Sequence, residues 1–285
     1  LGMVISDITN PFFPEMVRGA EEAALARGYV LTIFNTDDRI EREHQVFDIL
    51  RSRQMDGLLV VVALPRGGHG HLRELLEEGT RIVCLDRIPH GFAVDAVTVD
   101  NEGGVRSAID HLVAEGHTRI GYIGGRADQL VARERLAGYF AGLLAAAIHP
   151  VKEWIKEGDF RPDSGYALAM ELLSRRSRHP SALFVANILM TTGVLRALEE
   201  LGLETPRDLA LATFDRIALM DSFRPHLTSV MQPSYEIGRR GAELLIDRIE
   251  GKVKDQVPVR VKLDTTLVIR QSTVGEFSDK VPKAG

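Results

Sequence analysis

Cysteine is almost missing from this chain: Cys84 is the single one among 285 residues, so no disulfide can form within it. Set in the apolar string RIVCLD, it reads as a small core residue, and its isolation fits a reducing compartment such as the cytoplasm. Long hydrophobic runs are missing too. No apolar stretch approaches the ~18 residues of a membrane-spanning helix. The opening LGMVIS has no basic region or small-residue cleavage site before it, so it reads as a strand and leaves room for an upstream segment. Positive charge is not in excess. Thirty-five Lys and Arg against 40 Asp and Glu give a formal net charge of -5, which offers no electrostatic footprint for nucleic acid. The reactive signatures are also absent: no GxGxxG after a strand, no GxxxxGK(S/T), no GxSxG and no HExxH. GYIGG at 121–125 is only rich in glycine. Carboxylates occur in pairs, yet none has a context that assigns acid and base roles. With no nucleophile in view, a binding pocket is expected and an enzyme is not.

Apolar strings of four to six residues are plentiful, each leading into a longer stretch of helical spacing. The strands expected are GMVIS, VLTIF, GLLVVV, RIVCLD, AVTVD, RIGYIG, SALFVA, LALATF and LTSVM. The helices carry one apolar stripe each. Over 12–27 it is Met16, Val17, Ala20, Ala23 and Ala24, ending at Gly28; over 101–115 it is Val105, Ala108, Ile109, Leu112 and Val113, with Gly116 as the stop. Nearly continuous apolar strands alternating with such helices predict an α/β protein whose parallel sheets are doubly wound, covered on both faces.

Polar residues gather where the strands end: Asp7, Asn10, Asn35, Asp86, Asp100, Asn187, Asp215 and Gln232. The carboxyl ends of parallel strands are where open α/β sheets bind ligands. Most of these Asp and Asn also suit the cap of the next helix. Asp86 stands apart, since no helix is expected in the DRIPHGFAVD that it opens. Arg135 is unusual as well, because a cation near the start of a helix expected from about Gln129 opposes the helix dipole. Either an anionic or hydroxyl-rich partner or plain exposure accounts for it. His69 and His71 in GGHGH are expected in a solvated loop, with no metal site and no cofactor. SDITNPFF, at 6–13, poses a further question. Adjacent side chains cannot share one core face, so its two phenylalanines are buried against different neighbours or one is held at a loop tip for a purpose.

The strings SDITNPFFPEMVRGAEEAALARGY, MDGLLVV, LDR, VTVDNEGGVRSAIDHLVAEGHTRIGYIGG, RLAGY, GVLRALEELGLETPRDLAL, FD and LTSVMQPSYEIGRRGAELL occur here in the order of the effector-binding core of the LacI/GalR family of bacterial transcription regulators. The chain resembles that core from about residue 2 to 272, most specifically in NPFF and GHTRIGYIGG. The resemblance implies two similar doubly wound subdomains of the type I periplasmic-binding-protein kind, joined by three crossovers, with a small effector clamped between them. It also implies a homodimer, no membrane association, and operator DNA as a partner only through an N-terminal helix-turn-helix head that is absent from these residues. The subdomains are expected at 1–98 plus 232–261 and at 99–231 plus 262–275, with 276–285 a flexible tail.

By the same resemblance the effector is met by Asn10, Phe12, Phe13, Asp86, Arg135, Phe160, Asn187 and Asp215. Asn10 and the two rings would lie in the loop after the first strand, one ring stacking on the ligand while the other packs inward. Asp86 and Asp215 would accept from ligand hydroxyls, Arg135 and Asn187 would donate, and Phe160 would close the far side; this mixture favours a sugar or another polyol. The chain departs from the family pattern in ANILMTTG, where Ile188 stands in place of the usual aspartate, and in FDR instead of FDD. Gln129 and Val131 occupy positions that argue against a purine. A free-standing solute receptor feeding a transporter is the alternative, told apart by the sequence upstream of Leu1: a signal peptide in that case, a helix-turn-helix in the other. An enzyme on the same scaffold is a third reading, which turnover of a bound ligand would reveal.

Overall fold

The structure is a computed structural model and describes residues 1–53, 55–63, 69–174, 179–216, 224–253 and 257–275. The expected tail, 276–285, lies outside the described residues. Strands and helices alternate through β1 (Gly2–Ile5), α1 (Phe12–Leu25), β2 (Thr32–Asn35), α2 (Ile40–Ser52), β3 (Gly57–Val60), α3 (Gly70–Glu77), β4 (Arg81–Leu85) and β5 (Asp95–Val99). The pattern then repeats with α4 (Asn101–Ala114), β6 (Ile120–Gly124), α5 (Leu130–Ala145), β7 (Ile155–Glu157), α6 (Pro162–Leu173), β8 (Ala182–Val185), α7 (Ile188–Leu201), β9 (Ala210–Phe214) and β10 (Thr228–Met231). The chain closes with α8 (Ser234–Ile249), β11 (Arg260–Leu263) and β12 (Thr266–Val268).

These strands form two sheets, ordered β11-β5-β4-β3-β1-β2 and β12-β10-β9-β8-β6-β7. Every pairing in the first is parallel; in the second only β12 runs antiparallel, along β10. Each sheet thus steps outward from its first strand, returns across it, and receives an edge strand from the far end of the chain. The contacts divide the protein into one unit of Leu1–Val99, Asp128–Leu130 and Pro233–Asp264, and another of Asp100–Ala127, Val131–Gln232 and Thr265–Gly285.

The strands are continuously apolar because both faces of each sheet are covered. In the first unit Met3, Ile5, Leu59, Val83 and Leu85 pack on one side with α1 and α8. Their neighbours Val4, Leu58, Val60, Ile82 and Cys84 pack on the other. Burial pushes the Cys84 thiol up to about 12, with Glu43 and Asp95 adding to the rise, as expected of an inert core residue. The α1 stripe of Met16, Val17, Ala20, Ala23 and Ala24 is buried, as are Val105, Ala108, Ile109 and Leu112 of α4. α4 ends just before Gly116, whose φ of 91° carries the chain out of the helix.

Two helix pairs approach so closely that only hydrogen fits between them. A Cβ on Gly238 of α8 would stand 1.8 Å from the Met16 carbonyl oxygen of α1, and one on Gly193 of α7 would stand 1.9 Å from the Pro162 carbonyl oxygen of α6. The second contact sets α6 against α7, and the N-terminus of α7 bears Asn187.

Candidate functional site

In the first unit the turns after β1, β2 and β4 bring polar groups to the carboxyl ends of the strands. Asp7 accepts from the backbone N–H and hydroxyl of Thr9, at 2.9 and 2.6 Å. Asn10 accepts from the Phe12 N–H at 3.1 Å, and Asn35 accepts from the Ile8 N–H at 2.9 Å while donating to Asp37 at 2.7 Å. Much of this polarity is therefore turn and cap chemistry. Asp86 is different. It follows β4 in the left-handed region at φ 61°, and its N–H donates to the Val97 carbonyl at 2.9 Å. Such a backbone costs ~1–3 kcal/mol for a residue other than glycine and persists where the surroundings impose it.

Arg87, next to it, is buried. Its Nη1 donates to Asp38 Oδ1 at 2.6 Å and to the carbonyls of Val62 and Ala63 at 3.2 and 3.4 Å, while Nε lies 3.5 Å from Asp86 Oδ2. Burial opposes its charge, yet Asp38 and Asp86 outweigh that and bind its proton more firmly than usual. The adjacent pair DR thus holds the strand end through two carboxylates and two backbone carbonyls.

The second unit repeats the device. Asp215 follows β9 at φ 71°, its N–H donates to the Val230 carbonyl at 2.9 Å, and its Oδ1 accepts from Gln232 Nε2 at 2.6 Å. Asp86 and Asp215 hold matching places in the two sheets, each after the strand that precedes the last strand of its series. Nearby stands Arg135, only 4% exposed. Its Nε donates to Asn101 Oδ1 at 2.9 Å, its Nη1 to the Ala186 carbonyl at 2.7 Å, and its guanidinium carbon lies 3.7 Å from the centre of the Phe214 ring. Asn101 is held in turn by donating to Glu134 at 2.8 Å. Phe160, at φ 65°, lies with its ring 6.0 Å from the same guanidinium and close against Gly125, where a Cβ would meet a ring atom at 2.2 Å.

Several expectations need correction. Phe12 and Phe13 do not lie in a loop: they open α1, meet edge to face at 5.0 Å, and both belong to the core of the first unit, Phe13 being only 2% exposed. Both rings thus enter one core cluster, their planes at 75°, and Asn10 serves as the turn that starts their helix. Arg135 is neither exposed nor in the first turn; it lies in the second turn of α5 and spends its charge on the Ala186 carbonyl at the end of β8. Asn187 accepts from the Met190 N–H at 2.9 Å as the cap of α7 and donates to the Phe160 carbonyl at 3.0 Å. One of its amide hydrogens therefore fixes a neighbouring ring. Ile188 is buried in the first turn of α7, and Asn187 caps that helix, so losing an acid there costs no cap. His69 and His71 are not in a solvated loop. They are buried or nearly so, packed about Glu43, with His71 Nε2 2.9 Å and His69 Nδ1 3.6 Å from Glu43 Oε1. Burial would raise the Glu43 carboxyl, but the facing ring nitrogens and the Ala63 N–H outweigh it and lower it to about 2.

Arg87, Asp38, Asn101 and Phe214 escaped the sequence reading as site residues. Arg87, Asn101 and Phe214 left only a trace, as letters of LDR, VTVDNEGG and FD. A cavity of about 440 Å³ lies at the amino ends of β4 and β5, lined by Arg81, Asp95 and Arg248 among others. Asp95 and Arg248 occupy each other there through bonds of 2.7 and 2.8 Å. Among the described residues no helix is long and apolar enough to cross a membrane.

Two doubly wound sheets with matched polar strand ends define a ligand-binding core. The family model described as "Periplasmic binding protein-like domain" matches residues 109–273. The HTH-type transcriptional repressor PurR of Aliivibrio salmonicida is 31% identical over 254 residues, covering 88% of this chain and 75% of that protein. Among solved structures, a putative ribose operon repressor from Burkholderia thailandensis is 34% identical with a TM-score of 0.85, covering 94% of this chain and 97% of that one. A CelR–cellobiose complex is likewise 34% identical, with a TM-score of 0.86 and coverage of 95% and 83%. A LacI family regulator from Enterococcus faecium with bound ribose is 27% identical, with a TM-score of 0.82 and coverage of 96% and 98%. The chain belongs to the LacI/GalR family of transcriptional regulators, whose effector-sensing core it carries.

Proposed function

We propose that this core senses a small sugar-like molecule, and that occupancy changes the operator affinity of a helix-turn-helix head lying outside this sequence, within a homodimer. The carrying observation is Arg135, a buried guanidinium with neutral oxygens on two of its N–H groups and aromatic rings beside it. A cation so placed favours a neighbour rich in hydroxyl or anionic oxygen. Asp215 supplies an acceptor in the same unit, and Asp86 would do the same for the first unit. Donors, acceptors and a ring face together suit a polyol. Charge-assisted bonds contribute about 1.5–3 kcal/mol each, so three or four would support roughly micromolar binding after ordering costs. Two relatives with bound ribose or cellobiose support that ligand class. The action is binding without turnover, and effector coupling in such regulators is typically ~1–3 kcal/mol.

Calorimetric titration with ribose, cellobiose, other sugars, sugar phosphates and nucleobases tests the reading. One sugar or sugar derivative should bind at about micromolar Kd and be recovered unchanged, with Arg135→Met and Asp215→Ala weakening it tenfold or more. If nothing in the panel binds, or Asp215→Ala binds like wild type, the ligand assignment fails; a nucleobase as the tight binder would replace the sugar.

A further inference from the structure

Glu43, His69 and His71 stand out because their position near the strand ends leaves three ligand-type atoms facing one point. Glu43 projects from α2, His69 immediately precedes α3 and His71 lies in its first turn. Their nearest oxygen and nitrogen atoms all lie within 4.8 Å of one another. Glu43 is fully buried and its Oε2 is engaged by the Ala63 N–H at 2.5 Å, which fixes the carboxylate plane and turns Oε1 toward the two rings. His69 is 5% exposed; its Nδ1 stands 3.6 Å from Glu43 Oε1, its Nε2 has no hydrogen-bond partner, and the Nδ1 of His71 has none either. A buried imidazole nitrogen left without a bond is costly.

From these atoms we infer a divalent transition-metal site in the first unit, ligated by Glu43 Oε1, His69 Nδ1 and His71 Nε2. The spacing fits. Bonds of ~2.0–2.1 Å at tetrahedral angles hold neighbouring ligand atoms about 3.3 Å apart; the separations of 2.9 and 3.6 Å from Glu43 Oε1 bracket that value, and all three atoms lie within 4.8 Å of one another. Two imidazoles and one carboxylate select a zinc-like ion over calcium or magnesium, which prefer all-oxygen shells. The Ala63 N–H on the second carboxylate oxygen is the kind of outer bond that orients a ligand. Three protein ligands leave one position open to water or to an oxygen of a bound molecule. The ion would tie the start of α3 to α2, two segments otherwise separate in the chain.

The test uses the whole chain without a histidine tag, stripped with a chelator and titrated with Zn2+ by calorimetry and with Co2+ by visible absorption. One equivalent should bind with Kd of about 10 µM or tighter, Co2+ should show the intense d–d bands of a four-coordinate ion, and Zn2+ should raise the unfolding temperature. His69→Ala should weaken binding tenfold or more. His71 packs on Phe47 at 4.8 Å, so a variant there can lose structure. Glu43→Gln is the second variant, since it keeps an acceptor for the Ala63 N–H while removing the anionic ligand. It should stay folded, by circular dichroism, and lose the Co2+ bands and the thermal shift. Sub-stoichiometric or much weaker binding in the parent chain, six-coordinate cobalt spectra, or affinity unchanged in both variants overturns the assignment.

Discussion

Gly193→Ala places a methyl group 1.9 Å from the Pro162 carbonyl oxygen and 2.6 Å from the Tyr166 nitrogen, both backbone atoms of α6 or its first turn. No side chain can swing aside to relieve this, so α6 and α7 must separate by at least about an ångström over a core already packed to crystal-like density. Overpacking ordinarily costs ~1–3 kcal/mol, and a clash between two helix backbones belongs at the upper end. A loss of about 3 kcal/mol should lower the melting temperature by roughly 6–12 °C in a protein of this size. Gly28→Ala is the control, because nothing lies within 4 Å of its Cβ direction and only its φ of 80° resists the change, for about 1 kcal/mol. Urea titration followed by circular dichroism, with calorimetry on the same samples, reads both variants. If Gly193→Ala loses no more than Gly28→Ala, the helices are not held at backbone contact and the argument is wrong. The change should also reach the candidate site, since spreading α6 from α7 strains the bond from Asn187 to the Phe160 carbonyl.

Asn187→Ala should cost about 1–2 kcal/mol in urea unfolding through loss of the α7 cap. Asn187→Ser should restore most of that stability but leave the Phe160 carbonyl untied, which an intermediate effect on ligand affinity would reveal. His117 is held near 4 by burial, with His111 and Arg119 adding to the depression. Its folded value lies below the ordinary 6.5, so stability is complete above pH 6.5 and drains away as pH falls toward 4. His117→Gln should flatten that slope without abolishing it, since burial lowers His111 as well; a wild-type slope in the variant would count against the assignment. Cys84 should be silent to thiol reagents in the native protein and react only at the rate of unfolding, and rapid labelling under native conditions would show that β4 is not covered on both faces.

The alternation of strands and helices, the apolar stripes of α1 and α4, and the collection of polar residues at strand ends were all legible along the chain. Each is a local regularity: a strand covered on two faces must be apolar throughout, a helix covered on one face must repeat every three or four residues, and a helix must be stopped and capped nearby in sequence. What a strand-end residue then does was not legible, because an asparagine that caps a helix and one that meets a ligand are written with the same letter. Asn10 and Asn187 serve the local turn and cap whatever else they meet, while Asp86 and Asp215 take up left-handed backbones whose partners, Val97 and Val230, come from the next strand of the sheet. Arg135 could be singled out as odd, yet its neighbours at 101, 186 and 214 were hidden. Glu43 on α2 meets His69 and His71 at the start of α3 although 26 and 28 residues separate them in the chain. Periodicity records which face of an element is covered; it carries no information about which distant segment does the covering, and that depends on the pairing of whole strands.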